Sequence, residues 1–364
     1  GPHKVIDSLE AIKAIGTGMG TVIGSDVSVP SQAGNKSKYF IIHAIDPTEK
    51  NKLDADILFL GEDALVDHIR NLRHIIASYL SAAYGYSEQD SQTIATFVTV
   101  YNAVYRGDIE TYETKYKTVV TKNLTKENCG LDVNYKNLAG KSQIIIPLFD
   151  VNGVLSTVDT SVISDSKVVD SMQEDDDKNI DSRKDMVDLK EREAENASEK
   201  AQESQKKAVE EQKKLSEEKK KTEESEKKAA DAQKKADEAK KDAEMNPEDS
   251  EKQKTAEQAE KEAEDANKEL AEQKEAEKNQ EVKTEEAKTQ AKQQQSVADK
   301  KTTEAQSERK EIAKDQKEVQ AKEDAQSKMT FAYGLVLVDD SEMLSKLVKI
   351  NSEDGTTVKD YPVT

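Results

Sequence analysis

The sequence predicts an α+β fold in which a small α/β head carries a long antiparallel helical hairpin of the coiled-coil type, and a short C-terminal β segment returns to the head. Three observations support this fold class. Strand-like and helix-like runs alternate up to about residue 165, small residues then recur every seven positions, and one Pro interrupts that recurrence. We expect a head domain over residues 1–165, an acidic hinge over 166–188, a helical hairpin over 189–328 with its turn at 246–249, and the start of a truncated β-rich domain over 329–364.

Composition divides the chain into two kinds of sequence. The 364 residues are 34% hydrophobic, 4% aromatic and 35% charged, and none is Trp. Most Phe, Tyr and Ile residues precede residue 165, whereas Leu189 to Lys328 is almost entirely Glu, Lys, Gln, Ala, Asp, Ser and Thr. Only the first part, with a short return at the C-terminus, can therefore bury a core.

Charge and cysteine content exclude several classes of function. The net charge of -19, with acids interleaved among the Lys residues, argues against a nucleic-acid partner. The lone Cys129 excludes an internal disulfide, and no apolar run is long enough for a membrane span. Gly1-Pro2 is typical of the remnant of an engineered protease site, so we expect that an export signal has been removed.

The first third of the chain predicts strands and helices in alternation. A short helix carries Ile6, Leu9, Ile12 and Ile15 and ends in a flexible turn at Gly16 to Gly20, after which a loop continues to about Lys38. Strands follow over Tyr39–Ile45 and Ala55–Leu60. An amphipathic helix then begins at Glu62 and ends near Gly85, and another has Ser87 as its N-cap and stops at Gly107.

The rest of the head is predicted as a weak helix, a loop and a β-hairpin. Tyr112, Tyr116 and Val120 mark the helix, and residues 122–141 form the loop. The strands of the hairpin are Gln143–Phe149 and Val154–Val158, joined by the turn from Asp150 to Gly153.

The arm over residues 189–328 has a seven-residue repeat. Its first seam contains Ala194, Ala201, Ala208, Leu215, Thr222, Ala229, Ala236 and Ala243. Asn246 and Pro247 interrupt it, and a second seam contains Ala256, Ala263, Leu270, Thr284, Ala291, Ala298, Ala305, Ile312 and Val319. With Asn246 as N-cap and Pro247 in the first turn, these residues predict helices over Lys190–Met245 and Pro247–Lys328 that fold back on each other.

The unequal lengths of the two helices leave the end of the second without a partner in the first. We expect this overhang to dock on the head through Ile312 and Val319, and Phe331 to Val338 to add a strand there. The alternative geometry is a single kinked rod that dimerises in parallel with another chain.

No residue pattern predicts a catalytic, cofactor or metal site. His68 and His74 are six residues apart and do not share a helix face, and Asp150 to Gly153 lacks the later ligands of a calcium loop. Tyr101, Tyr105, Tyr112 and Tyr116 are a candidate interaction surface of the head, although their helical spacing also fits a core.

Four blocks of the head carry a resemblance to a known family: Tyr101-Asn102-Ala103-Val104-Tyr105-Arg106-Gly107-Asp108, Asn71-Leu72-Arg73, Lys126-Glu127-Asn128 with Gly130-Leu131, and Ala139-Gly140-Lys141 with the strand through Ile144 to Leu148. In these blocks the chain resembles the eighty-three/one-hundred-kilodalton immunodominant antigen family of spirochaetes, described first in Borrelia. The resemblance implies an exported antigen of the cell envelope with a central charged coiled coil and a C-terminal β-rich region. It implies no catalytic residue, and Cys129 stands where the family pattern leads us to expect Ala.

These observations lead to a hypothesis of function. We expect a non-enzymatic structural or interaction protein of the periplasm or cell envelope, with the arm as spacer and surface for a protein partner or self-association. The alternative is a head that binds a ligand or carbohydrate and is displayed on a coiled-coil stalk. A cleft lined by the tyrosines would favour the alternative, and a packed head with an exposed apolar patch would favour the first reading. A buried, strongly shifted His or carboxylate in a pocket would indicate an enzyme.

Overall fold

A computed structural model of the protein describes residues 8–66, 68–151 and 154–337. The chain forms two compact units, a head unit of residues 1–189 with 306–364 and a hairpin unit of residues 190–305. The head unit contains the β-sheet, the short helices and the outer ends of two long helices, and the hairpin unit contains the remainder of those two helices. The predicted α+β class with a long helical region is confirmed.

The head unit contains one antiparallel sheet with its strands in sequence order. The strands are β1 Ser31–Gly34, β2 Tyr39–Ala44, β3 Asp54–Leu60, β4 Ser142–Val151 and β5 Val154–Val158. Ile57 lies opposite both Ile42 of β2 and Ile145 of β4, so the central strands present apolar side chains to the core. The four strands predicted for the head are present. The segment Ser31–Gly34 was predicted as loop because it contains no residue type that favours strands, and it forms β1 by pairing with β2.

The described part of the head unit also contains seven short α-helices. They are α1 Leu9–Gly24, α2 Ile69–Tyr84, α3 Glu88–Val104, α4 Ile109–Lys115, α5 Thr118–Thr121, α6 Thr160–Ile163 and α7 Ser166–Gln173. Gly85, with φ of 76°, ends α2 as predicted, and the Ser87 hydroxyl accepts a hydrogen bond from the Asp90 amide at the start of α3. The helix α2 begins at Ile69, later than predicted, because His68 is its N-cap: the ring accepts a hydrogen bond from the Arg70 amide.

The glycine-rich segment of the first helix was predicted wrongly as a turn. The helix α1 continues through Gly16, Gly18 and Gly20 to Gly24. Gly16, Gly20 and Gly24 are one turn apart and face the backbone of α2, so the absence of side chains lets the two helices approach closely. These glycines lower the helix propensity of α1, but they also form its contact surface with α2.

The span expected to be an acidic hinge contains α7 and the start of the next helix. Val168 and Met172 of α7 are buried, as are Met186 and Val187. Only residues 174–179 between the two helices are free of regular secondary structure.

The two long helices are α8 Ile180–Met245 and α9 Ser250–Leu337. Within the hairpin unit they pack antiparallel, since Ala197 and Ala201 of α8 cluster with Ala298 of α9, and Ala208 clusters with Ala287 and Ala291. The predicted hairpin is therefore confirmed and the single kinked rod is not observed. All eight residues of the first predicted seam are buried.

Polar layers interrupt the alanine seam near Leu215. The side-chain amide of Gln280 donates to the backbone carbonyl and the carboxylate of Glu211, and Gln273 makes the same pair of bonds to Glu218. These bonds cross between helices at defined positions, so they favour one register of the hairpin.

The turn between the helices lies at Asn246 to Asp249, and its capping differs from the prediction. The Asn246 side chain donates to the Asp242 carbonyl oxygen at 2.9 Å and so closes the end of α8. Asp249 is the residue whose carboxylate accepts from the Glu251 amide, at 3.1 Å, so α9 begins at Ser250 and not at Pro247.

The predicted strand from Phe331 to Val338 is wrong over residues 331–337, because α9 continues to Leu337. Extending an existing helix adds a hydrogen bond for each residue fixed, whereas a strand needs a partner. Val338 and residues 339–364 of the expected β-rich segment lie outside the described residues.

Candidate functional site: an apolar groove on the head unit

The four tyrosines proposed as an interaction surface lie in the core of the head unit. Tyr101, Tyr105, Tyr112 and Tyr116 are all buried, and their rings pack against each other. The hydroxyls of Tyr101 and Tyr116 are 2.9 Å apart, and the Tyr105 hydroxyl donates to Asp165. The four tyrosines proposed as a possible interaction surface thus form part of the core cluster of the head unit.

Ile312 and Val319 differ in burial. Ile312 is 3% exposed and lies with Phe97 and Met186 around a cavity of about 10 Å³ inside the head unit, whereas Val319 is half-buried. Next to Ile312 along the helix, Asp315 pairs with Arg183 at 2.8 Å. Burial acts to raise the pKa of Asp315, but the hydrogen bonds from Arg183 and Gln173 outweigh it and the pKa is lowered. This pair was not predicted, because neither residue interrupts the charged pattern of its helix.

A buried polar network crosses β2, β3 and α2. His43 and Asp56 lie opposite each other in the register, and the distance from His43 Nδ1 to Asp56 Oδ1 is 2.6 Å. The other ring nitrogen of His43 is 2.7 Å from the Val27 carbonyl oxygen, and the hydroxyls of Tyr79 and Tyr84 donate to Asp56. The signal in the sequence was a His and an Asp inside two apolar strands.

The protonation of His43 follows from this geometry. Both ring nitrogens face acceptor oxygens, and only the imidazolium form can donate to both. Burial acts to lower the pKa of His43, but the hydrogen bond and charge of Asp56 outweigh it and the pKa is raised. The side chains of His43 and Asp56 are both fully buried, so this network stabilises the packing of β2 against β3 and α2.

The other polar residues considered for a catalytic or metal site are engaged in contacts within the fold or buried. Lys117 and Asp54 form a buried ion pair at 2.9 Å. The side-chain amide of Gln92 is 3.0 Å from His74 Nδ1. Cys129 is buried, and burial raises the pKa of its thiol, so the reactive thiolate is disfavoured. Among residues 8–66, 68–151 and 154–337, no three His, Cys, Asp or Glu residues are placed to hold a metal ion.

An apolar groove of about 440 Å³ lies on the surface of the head unit. Its walls come from α2, α3, α7 and the loop before β4, and its lining residues are Ile69, Arg73, Thr99, Val100, Ala103, Val104, Leu131, Asp132, Val133, Leu138 and Ser171. Val133 is 81% exposed, and Ile69, Val100 and Val104 are half-buried. Val133 is thus an exposed apolar side chain beside three half-buried ones, and surface apolar clusters are a common feature of sites at which proteins bind partners.

Sequence reasoning missed this groove for a definite reason. Val100 and Val104 continue the apolar pattern of α3 around to its outer side, and Val133 stands alone in a polar loop. Nothing in the pattern separates these positions from core positions until α2 and α3 are packed together.

Residues 1–362 match the family model described as Borrelia P83/100 protein. The chain belongs to the Borrelia P83/100 protein family. The resemblance of the four head blocks to this family is thereby confirmed, and the match extends over the arm. No curated protein and no solved structure shows a significant match to this family member. Among the described helices, none has a stretch apolar enough, over sufficient length, to cross a bilayer.

Proposed function

We propose that this member of the Borrelia P83/100 family is a non-enzymatic structural and interaction protein of the cell envelope. In this proposal the head unit binds a protein partner through the apolar groove, and the hairpin unit serves as spacer and association surface. The envelope location is part of the proposal and follows from the family resemblance.

The observation that carries the proposal is the exposure of Val133 beside half-buried Ile69, Val100 and Val104. The Val133 side chain, which is 81% exposed, buries little surface in the folded chain and so contributes little to its stability. A partner that covers the groove would remove these apolar side chains from water. Each 100 Å² of apolar surface so covered contributes about 2.5 kcal/mol before the costs of association.

The role of the hairpin unit as a spacer is supported by its sequence pattern. Its seam consists mostly of alanine, so many weak layers, and not a few large side chains, hold the helices together. Charged residues occupy most exposed positions of both helices, which favours solubility along the whole length.

The ligand-binding alternative receives less support. The tyrosines that would stack on a sugar are in the core, and the groove is lined mainly by aliphatic side chains. His43 gives little support to the enzyme alternative, because both of its ring nitrogens are engaged, one by Asp56 and the other by the Val27 carbonyl oxygen.

Site-specific photo-crosslinking tests the proposal in cells that express the protein. A photoreactive amino acid replaces Val133 in the groove or Val29, a 46% exposed valine of the head unit outside it. We expect a defined crosslinked protein from position 133 that is absent from position 29 and is lost when Val104→Glu is added. If both positions give the same products, or if Val104→Glu has no effect while the fold is intact, the groove is not a partner site.

A further inference from the structure

Arg73 is the one cationic side chain among the residues that line the groove. It is half-buried on α2, one helical turn after Ile69, and its Nε donates to the Thr99 hydroxyl at 2.9 Å. A guanidinium has five N–H donors, so most of its hydrogen-bonding capacity is not used by this bond.

In the part of the chain that the structure describes, Arg73 forms no ion pair with a carboxylate. Asp132, the acid that shares the groove, is engaged elsewhere: one oxygen accepts from the Asn134 amide at 2.9 Å, and the other is 3.9 Å from Arg106. Burial lowers the pKa of Arg73, and no nearby carboxylate offsets it. A half-buried positive charge without a counter-charge is costly, and it would be stabilised by an anion supplied from outside.

The shape of the groove decides between a free anion and a protein segment. Ile69 and Arg73 on α2, and Val100 and Val104 on α3, are pairs of residues one helical turn apart on neighbouring helices. Such a surface matches apolar side chains that recur at helical spacing on an amphipathic segment. A small free anion could reach Arg73 but would leave these apolar side chains exposed to water, whereas an amphipathic segment would cover them.

We infer that the groove binds an amphipathic segment of a partner protein that places one Asp or Glu carboxylate on the Arg73 guanidinium, with apolar residues of the segment on Ile69, Val100, Val104 and Val133. This inference rests on the proposed function and adds the chemistry of the partner. Arg suits this role because its planar fork can donate two parallel hydrogen bonds to one carboxylate.

A displayed library of random sixteen-residue peptides, selected on the full chain, is the probe. We expect enriched peptides in which one acidic residue is flanked by apolar residues at spacings of three and four. Replacing that acid by its amide should weaken binding about tenfold on the wild type. On the Arg73→Gln variant the acid and amide peptides should bind equally.

Arg70→Gln is the matched control, because Arg70 is an exposed arginine on the same helix and is not among the groove residues. It should retain the tenfold difference between acid and amide peptides. Arg73→Lys keeps the charge without the fork and should recover part of that difference. Tyrosine fluorescence during urea unfolding checks that each variant is folded, because no tyrosine lies in residues 190–305.

The outcomes separate this inference from the proposed function. Peptides that require the groove, shown by loss of binding to Val133→Glu, but bind wild type and Arg73→Gln equally would overturn the inference and leave the groove as a partner site. Enriched peptides that bind Val133→Glu and Val104→Glu as well as wild type would overturn both. If the wild-type chain forms a dimer and Val133→Glu dissociates it, the groove binds a second copy of the chain and not a different partner, which would overturn the inference.

Discussion

Gly16 of α1 lies against Ile75 of α2 so closely that a β-carbon on Gly16 would stand 2.1 Å from the Ile75 carbonyl oxygen. Gly20 is similarly close to Tyr79, since a β-carbon on Gly20 would stand 2.6 Å from the Tyr79 carbonyl oxygen. Gly18, on the opposite side of α1, would meet no atom within 4 Å. The three glycines therefore make different contributions to stability although they lie within five residues.

Substitution of these glycines by alanine should have opposite effects. Gly16→Ala forces α1 away from α2 and should lower the free energy of unfolding by about 2 kcal/mol. Gly18→Ala should raise it by about 0.5–1 kcal/mol, because Ala favours the helix and meets no neighbour. Urea unfolding followed by tyrosine fluorescence measures both changes. Equal effects of the two substitutions would show that the close approach of α1 and α2 is not the reason for glycine at position 16.

The His43–Asp56 pair predicts a pH-dependent contribution to stability. The pKa of His43 is raised in the folded protein, so the contribution is fully present below the unfolded value of about 6.5 and is lost as the pH rises through the folded value. At pH 6, His43→Gln should lower the free energy of unfolding by about 3 kcal/mol, because the buried Asp56 loses its cationic partner and keeps only the bonds from Tyr79 and Tyr84. The difference between wild type and variant should narrow from pH 6.5 upward.

Urea unfolding of both proteins from pH 6 to pH 9 gives this difference directly. Asp46→Asn is a control, because its carboxylate is exposed and bonds locally to Thr48. A constant difference between His43→Gln and wild type over this pH range would mean that the pKa of His43 is not raised by folding.

The arm was predictable from sequence because its rule is local. A seven-residue recurrence of Ala from Ala194 to Ala243 needs only one partner helix, and Pro247 fixes where the chain turns. The capping by Asp249 was not predictable from the same residues, since both Asn246 and Asp249 have the chemistry of an N-cap.

The head was predictable in its strands and less so in its contacts. Val154–Val158 and the three central strands have runs of apolar or β-branched residues, whereas β1 forms only because β2 offers it an edge. The use of Gly16 and the exposure of Val133 depend on how α2 packs against α1 and α3, which no local pattern contains. The candidate site was missed for that reason.

The tyrosine cluster predicts two different outcomes for removal of a hydroxyl. The Tyr112 hydroxyl is buried and makes no hydrogen bond with any residue that the structure describes, so Tyr112→Phe should leave stability unchanged or raise it by up to about 1 kcal/mol. Tyr101→Phe leaves the Tyr116 hydroxyl buried without its partner and should lower stability by about 1.5 kcal/mol. Thermal unfolding of the two variants distinguishes them, and an equal loss in both would contradict the assigned bonding.

The end of α9 should contribute to head-unit stability through Ile312. Ile312→Ala removes a side chain that is 3% exposed and should lower the free energy of unfolding by about 2–4 kcal/mol. Val319→Ala, at a half-buried position one heptad later, should change it by about 0.5 kcal/mol. Tyrosine fluorescence follows the head unit in both cases. A loss at Val319 as large as that at Ile312 would show that the contact extends further along the helix than Asp315.

Cysteine labelling at position 133 tests the central claim, that a protein covers the groove in its native setting. Because Cys129 is buried, single substitutions Val133→Cys, Val29→Cys and Val209→Cys each introduce one exposed thiol. Maleimide labelling rates are compared between purified protein and intact cells that express it, and the two positions outside the groove correct for reagent access. We predict that labelling of Val133→Cys in cells is slowed at least about tenfold relative to the other two positions. Equal relative rates at all three positions in cells and in purified protein would contradict the claim.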